Sequence, residues 1–335
     1  MCPLIQIWEE VRQMILRANI RNEKPVVRKK WFSMDDLELT LIGLPTALWF
    51  VAFCYLPLFG VLLAFKKYRL LPGSNFLVSL FKSQSVGFNN FKFLFATPDA
   101  AIVFRNTVLY NITFIVLGIV VAVTLAILIS QLRSQRLAKV CQTSMFLPNF
   151  LSWVVVSYFV FAFLSSDKGF ANQVLRGLGM EPKQWYMEAK YWPFFLVFIN
   201  LWKNVGYSMV VYLASISGID GSLYEAALID GATKAQQVRY ITLPMLDPII
   251  TIMFILAVGS IFASDFGLFY FIPQQSGALM NVTQTIDVYV YNALMNLGNV
   301  GFASAAGLTQ SVFGLITILT ANFVVRKIDP ENSLF

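Results

Sequence analysis

The chain has 335 residues, of which 57% are hydrophobic and only 13% charged. A soluble domain carries about 25% charged residues, so this composition, with a mean hydropathy of +0.66, predicts a membrane protein rather than a soluble one, and the continuous apolar runs described below make it all-α. The formal charge of +7 is spread over several loops, so nucleic acid is not an expected partner. Histidine is absent, which removes the commonest general base and metal ligand. The three cysteines, Cys2, Cys54 and Cys141, lie too far apart for a zinc site or a disulfide framework. No catalytic residue, metal or bound cofactor is expected.

Residues 1–38 form a charged N-terminal segment. Charges interrupt its first thirty positions, which argues against a cleavable signal peptide, and Cys2 has no apolar stretch before it to mark a lipid anchor. Leu4, Trp8, Val11 and Ile15 recur at helical spacing. With the basic run "RNEKPVVRKKW" behind them, they predict a helix lying on the inner leaflet or, alternatively, a docking helix for a partner.

A bilayer core needs roughly 20 mostly apolar helical residues, and six stretches qualify: about 39–65, 107–130, 145–164, 193–216, 245–269 and 302–325. Their continuous rather than alternating hydrophobicity argues against a β-barrel. The second and sixth carry no charge. The third, fourth and fifth contain Pro148, Lys203, Asp247 and Asp265 and are expected to face protein.

The fourth span holds "NLWKNVGYS". Asn200, Lys203, Asn204 and Tyr207 follow i, i+3, i+4, i+7 spacing on one helical face, with Trp202 beside them. Polar groups inside a membrane are costly and default to functional hypotheses. Amide and ammonium donors with aromatic rings suit the hydroxyls and C–H faces of a sugar. A polar seam against another subunit, with Lys203 paired to a carboxylate such as Asp265, is the reading the residues favour. Lys203 also suits the carboxylate of a uronic acid.

Residues 217–244 form a loop of unusual regularity. Ser222-x-x-Glu225 reads as a capping box, Gly231 as a left-handed helix end, and Thr233-x-x-Gln236 as a second box, with Pro244 closing the second short helix. Two capped helices joined at a glycine make a rigid knob, which points to mechanical transmission. The fifth span follows and ends in "SDFGLFYF", where Asp265, Phe269 and Tyr270 either line a vestibule or, for the rings, belong to an aromatic belt. After the sixth span a short tail, 326–335, remains.

Lysine and arginine number fourteen in loops that lie inside if both termini are cytoplasmic, and ten in the others, with none in 270–301. That bias favours cytoplasmic termini. The competing classes are weaker: no internal repeat suggests a secondary transporter, no charged ring or filter suggests a channel, and an enzyme lacks a base. No GxxxxGK[ST] is present, so energy from ATP requires another polypeptide.

The pattern Glu225-Ala226-Ala227, three residues ending in Asp230, Gly231-Ala232, then Ile241-x-Leu243-Pro244 resembles the coupling-loop signature of ABC importer permeases. "GFNNFKFLF" (87–95), "FRNT" (104–107), "GFANQVL" (169–175), "LWKNVGYSMVVYLASISGID" (201–220) and "VVRKID" (324–329) resemble the carbohydrate permeases, nearest the subgroup importing oligosaccharides and larger glycan fragments. The resemblance implies a type I ABC importer permease fold of six transmembrane helices over 39–325, with coupling helices in the cytoplasm. It also implies a bacterial plasma membrane location, an ATPase pair that uses ATP and Mg, a second homologous permease in a heterodimer, and an extracytoplasmic solute-binding protein. The alternatives are a permease for a non-carbohydrate solute and an ATP-independent secondary transporter.

Overall fold

The computed structural model describes residues 34–96 and 98–330. The helix expected over Leu4–Ile15 and the last five residues of the tail lie outside them. The chain divides into two compact units at Leu58.

The described part of the first unit is helix α1, Met34–Phe50, which carries Pro45 within it and passes into a π-helical turn, Val51–Tyr55. A 3-10 stretch, Leu56–Phe65, completes the first apolar span, Leu37–Phe65. Proline within a helix removes a donor and crowds the preceding turn. Departures from α-geometry near Pro45 and Pro57 are the usual response.

The second unit is a helical bundle. A two-residue ribbon pairs β1, Lys66–Lys67, with β2, Gln84–Ser85, antiparallel, and encloses helix α2, Phe76–Lys82. Helix α3, Asn89–Ala96, follows. Asn90 fastens the region by donating to the Ala64 and Lys66 carbonyls at 2.9 and 3.1 Å.

Helix α4, Pro98–Ser130, is the second span. The third is broken: α5, Gln135–Phe146, and a 3-10 turn, Leu147–Phe150, meet α6, Trp153–Leu164, at a bend of 100°. The sequence predicts one straight span over 145–164. Pro148 breaks the ladder and Ser152 restarts it by capping the Val155 N–H at 3.3 Å. Helix α7, Phe170–Gly177, leads to α8, Trp192–Ser217, the fourth span.

Helix α9, Gly221–Ile229, and helix α10, Lys234–Gln237, form the loop, and α11, Leu243–Gly259, follows. Beyond come α12, Phe266–Phe271, α13, Met280–Thr283, α14, Ile286–Leu297, and α15, Val300–Ile328, the last span. The fifth span therefore ends at Gly259, not near 269 as the hydropathy suggests. Asp265, Phe269 and Tyr270 belong to a separate short helix.

Between Gly259 and α12 the backbone is not helical, and exposed polar backbone is costly inside a bilayer. Side chains from neighbouring helices satisfy it. Asn111 donates to the Ile261 and Ala263 carbonyls at 2.8 and 3.0 Å, and Gln310 donates to Phe262 at 2.8 Å. Asp287 accepts the Ser264 amide and hydroxyl at 2.6 and 2.7 Å.

Two buried clusters hold the bundle. One, nearer the loop, packs Ala122, Val123 and Ala126 of α4 against Met209 and Tyr212 of α8 and Leu246 of α11. The other gathers Tyr110, Trp192, Leu196, Leu268, Phe269 and Ile272 at the opposite end. In a lipid environment close packing, not hydrophobicity, holds helices together, and small residues permit it. A Cβ on Gly206 of α8 would stand 2.0 Å from the Met145 carbonyl oxygen, and one on Gly314 of α15 would stand 2.7 Å from that of Gly259.

Candidate functional site

The loop between the fourth and fifth spans is built as a braced elbow. Its first helix is capped by Asp220, whose carboxylate accepts the Ser222 N–H at 3.0 Å. The expected box at Ser222 is replaced because the chain is still extended at Asp220, which takes the cap and leaves Ser222 inside the helix. That amide holds the Asp220 carboxyl below its ordinary pKa.

Helix α9 ends in a Schellman arrangement. Ala232 N–H donates to Ala227 O at 2.9 Å, Gly231 N–H donates to Leu228 O at 3.1 Å, and Gly231 sits at φ +78°. Thr233 starts α10 with the expected reciprocal box: its N–H donates to Gln236 Oε1 at 2.7 Å, and its Oγ1 accepts the Gln236 N–H at 3.4 Å.

Pro244 does not close α10. A π-helical turn, Val238–Thr242, carries α10 into α11, and Leu243 N–H reaches back to Val238 O. The wider turn closes one residue before the proline, which is the second residue of α11. Lys234–Gly259 is thus one helical rod. A brace unforeseen in the sequence, Tyr224 Oη to Thr242 Oγ1 at 2.9 Å, ties α9 to the π-turn.

The elbow presents an apolar tip. Leu228 and Ile229 are 68% and 86% exposed. Glu225, Ala226, Asp230, Gly231, Leu243 and Pro244 are exposed, while Ala227, Ala232 and Ile241 are half-buried.

The second cluster lies where the third span breaks. Asn200 and Lys203 are buried, Asn204 is half-buried, and Tyr207 is exposed, so the predicted face turns from packed to open around its width. Trp202 is exposed on another side of α8. Lys203 is 6% exposed; its Nζ donates to the Asn149 carbonyl at 3.0 Å and lies 5.1 Å from the centre of the Trp153 ring. Trp153 Nε1 donates in turn to Asp265 Oδ2 at 2.9 Å.

Lys203 and Asp265 are therefore linked through an indole rather than joined directly. Oδ1 of Asp265 caps α12, accepting the Gly267 and Leu268 amides at 3.0 and 3.3 Å. Tyr270 stacks on Phe266 with ring centres 4.8 Å apart and meets Tyr291 edge-on. Tyr207 stacks on Phe146, which meets the exposed Phe150 edge-to-face at 5.0 Å. Asn149, Trp153, Phe146 and Phe150 are absent from the sequence-based selection. Their one signal was Pro148, which marks the break that brings them to Lys203.

The chain is similar to known proteins along most of its length. The family described as "Binding-protein-dependent transport system inner membrane component" matches residues 115–330. Protein LplB of Bacillus subtilis (strain 168) is 32% identical over 88% of this chain and 91% of its own. The polygalacturonan/rhamnogalacturonan transport system permease protein YteP of the same organism is 29% identical over 88% of this chain and 89% of its own. A chain of the crystal structure of a bacterial ABC transporter involved in import of the acidic polysaccharide alginate superposes with a TM-score of 0.78 at 29% identity, covering 88% of this chain and 97% of that one.

Proposed function

The chain belongs to the binding-protein-dependent transport system inner membrane component family, and from that premise we propose that it is the permease subunit of an ATP-driven importer of oligosaccharides or glycan fragments. Its fold is the type I ABC importer permease fold: all-α, with six transmembrane helices, the third of them broken. The glycans named for YteP and for the alginate transporter favour a carbohydrate over another solute, and an ATP-independent secondary transporter is not supported.

The observation that carries the coupling role is the braced elbow. Its Schellman end, its box and the Tyr224–Thr242 bond fix an apolar tip to a continuous rod that runs through the bilayer. Glu225, Ala226, Ala227, Asp230, Gly231, Ala232, Ile241, Leu243 and Pro244 form the joint with a separate cytoplasmic ATPase. Leu228 and Ile229 enter its cleft. Two such ATPase subunits use ATP and Mg, and this chain binds neither. A second, homologous permease completes a heterodimer. An extracytoplasmic solute-binding protein delivers substrate; the alginate ABC transporter has been crystallised in complex with an alginate pentasaccharide-bound periplasmic protein. Both termini face the cytoplasm.

Around the break, Tyr207, Phe146 and Phe150 offer aromatic faces and Asn204 an amide, the chemistry a pyranose ring needs. Lys203 and Asp265 hold that surface in place, and Asn200, Trp202 and Tyr270 border the path. The decisive experiment is oligosaccharide uptake and ATP hydrolysis by the reconstituted complex carrying Glu225→Lys or Ile229→Asp. Lost uptake with intact membrane insertion is expected; normal uptake overturns the coupling role.

A further inference from the structure

A furrow of about 510 Å³ lies between α4 and α8 at the end of the bundle remote from the loop. It is lined by Leu109, Pro193, Phe194, Val197 and Val282, with the exposed Arg105 beside them. The volume falls in the range of small-molecule sites.

The polar groups of the wall are already engaged. Tyr110 Oη donates to Val282 O at 2.8 Å, and Thr113 Oγ1 donates to Leu109 O at 2.8 Å. The Asn106 amide nitrogen donates to Asn281 O and Gln284 O, both at 3.0 Å. Nothing but Arg105 remains to donate to a ligand. Its Nε and Nη2 donate to Asn106 Oδ1 at 3.4 and 3.1 Å, and Nη2 also reaches Asn281 O at 3.2 Å. All these acceptors are neutral. Among the described residues Nη1 has no acceptor, and no carboxylate lies within salt-bridge distance of the guanidinium.

A sugar would find no free hydroxyl or amide donor here, and a simple anion would have no use for an apolar trough. One positive charge above an apolar slot fits an amphiphile with one negative head. Arg105 precedes the uncharged run 107–130 by two residues, so it stands at headgroup depth with the furrow below it. We infer that this furrow binds an anionic phospholipid, its phosphate on Arg105 and an acyl chain along Leu109, Phe194 and Val197. On the orientation proposed above the lipid belongs to the outer leaflet.

The test is thermal melting of the purified full-length chain in neutral detergent, titrated separately with phosphatidylglycerol, phosphatidylcholine and glycerol 3-phosphate. Phosphatidylglycerol is expected to raise the melting temperature at a concentration about ten-fold lower than phosphatidylcholine, the order of magnitude of a charge-assisted bond. Glycerol 3-phosphate should have no effect. Arg105→Gln keeps donors for Asn281 and should abolish the preference without lowering the lipid-free melting temperature. Leu109→Trp fills the slot and should weaken both lipids. Equal midpoints for the two lipids, a preference surviving in Arg105→Gln, or a full shift with the tail-less headgroup would each overturn the proposal. So would a dimer that Leu109→Trp dissociates with no lipid preference, which would make a second copy the occupant.

Discussion

The Lys203 ammonium and the Asn149 carbonyl, 54 positions apart in the chain, meet at 3.0 Å. Helix ends leave carbonyls without intrahelical partners, and a cation beside them is favourable. The break in the third span creates such an end, and Lys203 closes it from the neighbouring helix, resting against Trp153.

That bond makes Lys203 a positioning residue. Lys203→Met should lower the stability of the bundle by about 1.5–3 kcal/mol, the range for a hydrogen bond to a charged group. Uptake of neutral and acidic oligosaccharides should fall in equal proportion. A loss confined to acidic glycans would instead place the ammonium on the substrate.

Gly231 sits at φ +78° with open space where a Cβ would stand. The cost of a side chain there is conformational, roughly 1–2 kcal/mol for most residues and less for asparagine. Gly231→Asn should retain more uptake than Gly231→Val, although valine is the smaller change in polarity. The reverse order would mean that contact with the ATPase, not backbone geometry, sets the requirement for glycine.

Gly206 differs, because there the space is filled by the backbone of Met145. Gly206→Leu should cost at least the 1–3 kcal/mol typical of overpacking and reduce folded protein recovered from membranes. Gly307→Ala, in the last span with nothing within 4 Å, should be tolerated. Equal recovery of the two variants by fluorescence-detected size exclusion would contradict the close approach of α8 to α5.

Beyond the spans, Tyr186 buries a hydroxyl with no hydrogen-bond partner among the described residues, and burial pushes its pKa up to about 12. An unmet buried donor is a liability. Tyr186→Phe should leave the melting temperature unchanged or raise it. Asn172 is its counterexample. Its amide donates to the Ser166 and Lys183 carbonyls at 3.0 and 2.9 Å, and its oxygen accepts from Lys183 N–H and Trp185 Nε1 at 3.0 and 3.1 Å. Asn172→Ala should lower the melting temperature clearly, since each lost bond contributes about 1 kcal/mol.

The spans and the elbow were legible because their signals are local: apolar runs, and capping residues at fixed offsets around Gly231. Two of the errors share one cause, that several residue types serve the same local purpose. Asp220 and Ser222 can both cap a helix, and the fold decides by where the chain stops being extended. Pro244 can end a helix or sit within one, and the π-turn before it lets the helix run on. The oily run through Phe271 concealed the break at Gly259, because the donors that make it tolerable, Asn111 and Gln310, sit in other spans. The packing of Lys203 on Trp153 depends on a 100° bend that no periodicity records.

The union of α10, the π-turn and α11 has a further consequence. A 26-residue rod is about 39 Å long, so tilting it by ~10° about its lower end sweeps its far tip through ~7 Å. That tip, Gly259, bears on Gly314 and Ile318 of the last span through a contact with almost no side chain of its own. A smooth bearing at the end of a long arm turns a modest rocking at the elbow into a wide swing beside Ser260–Ser264, the non-helical stretch that Asn111, Gln310 and Asp287 hold.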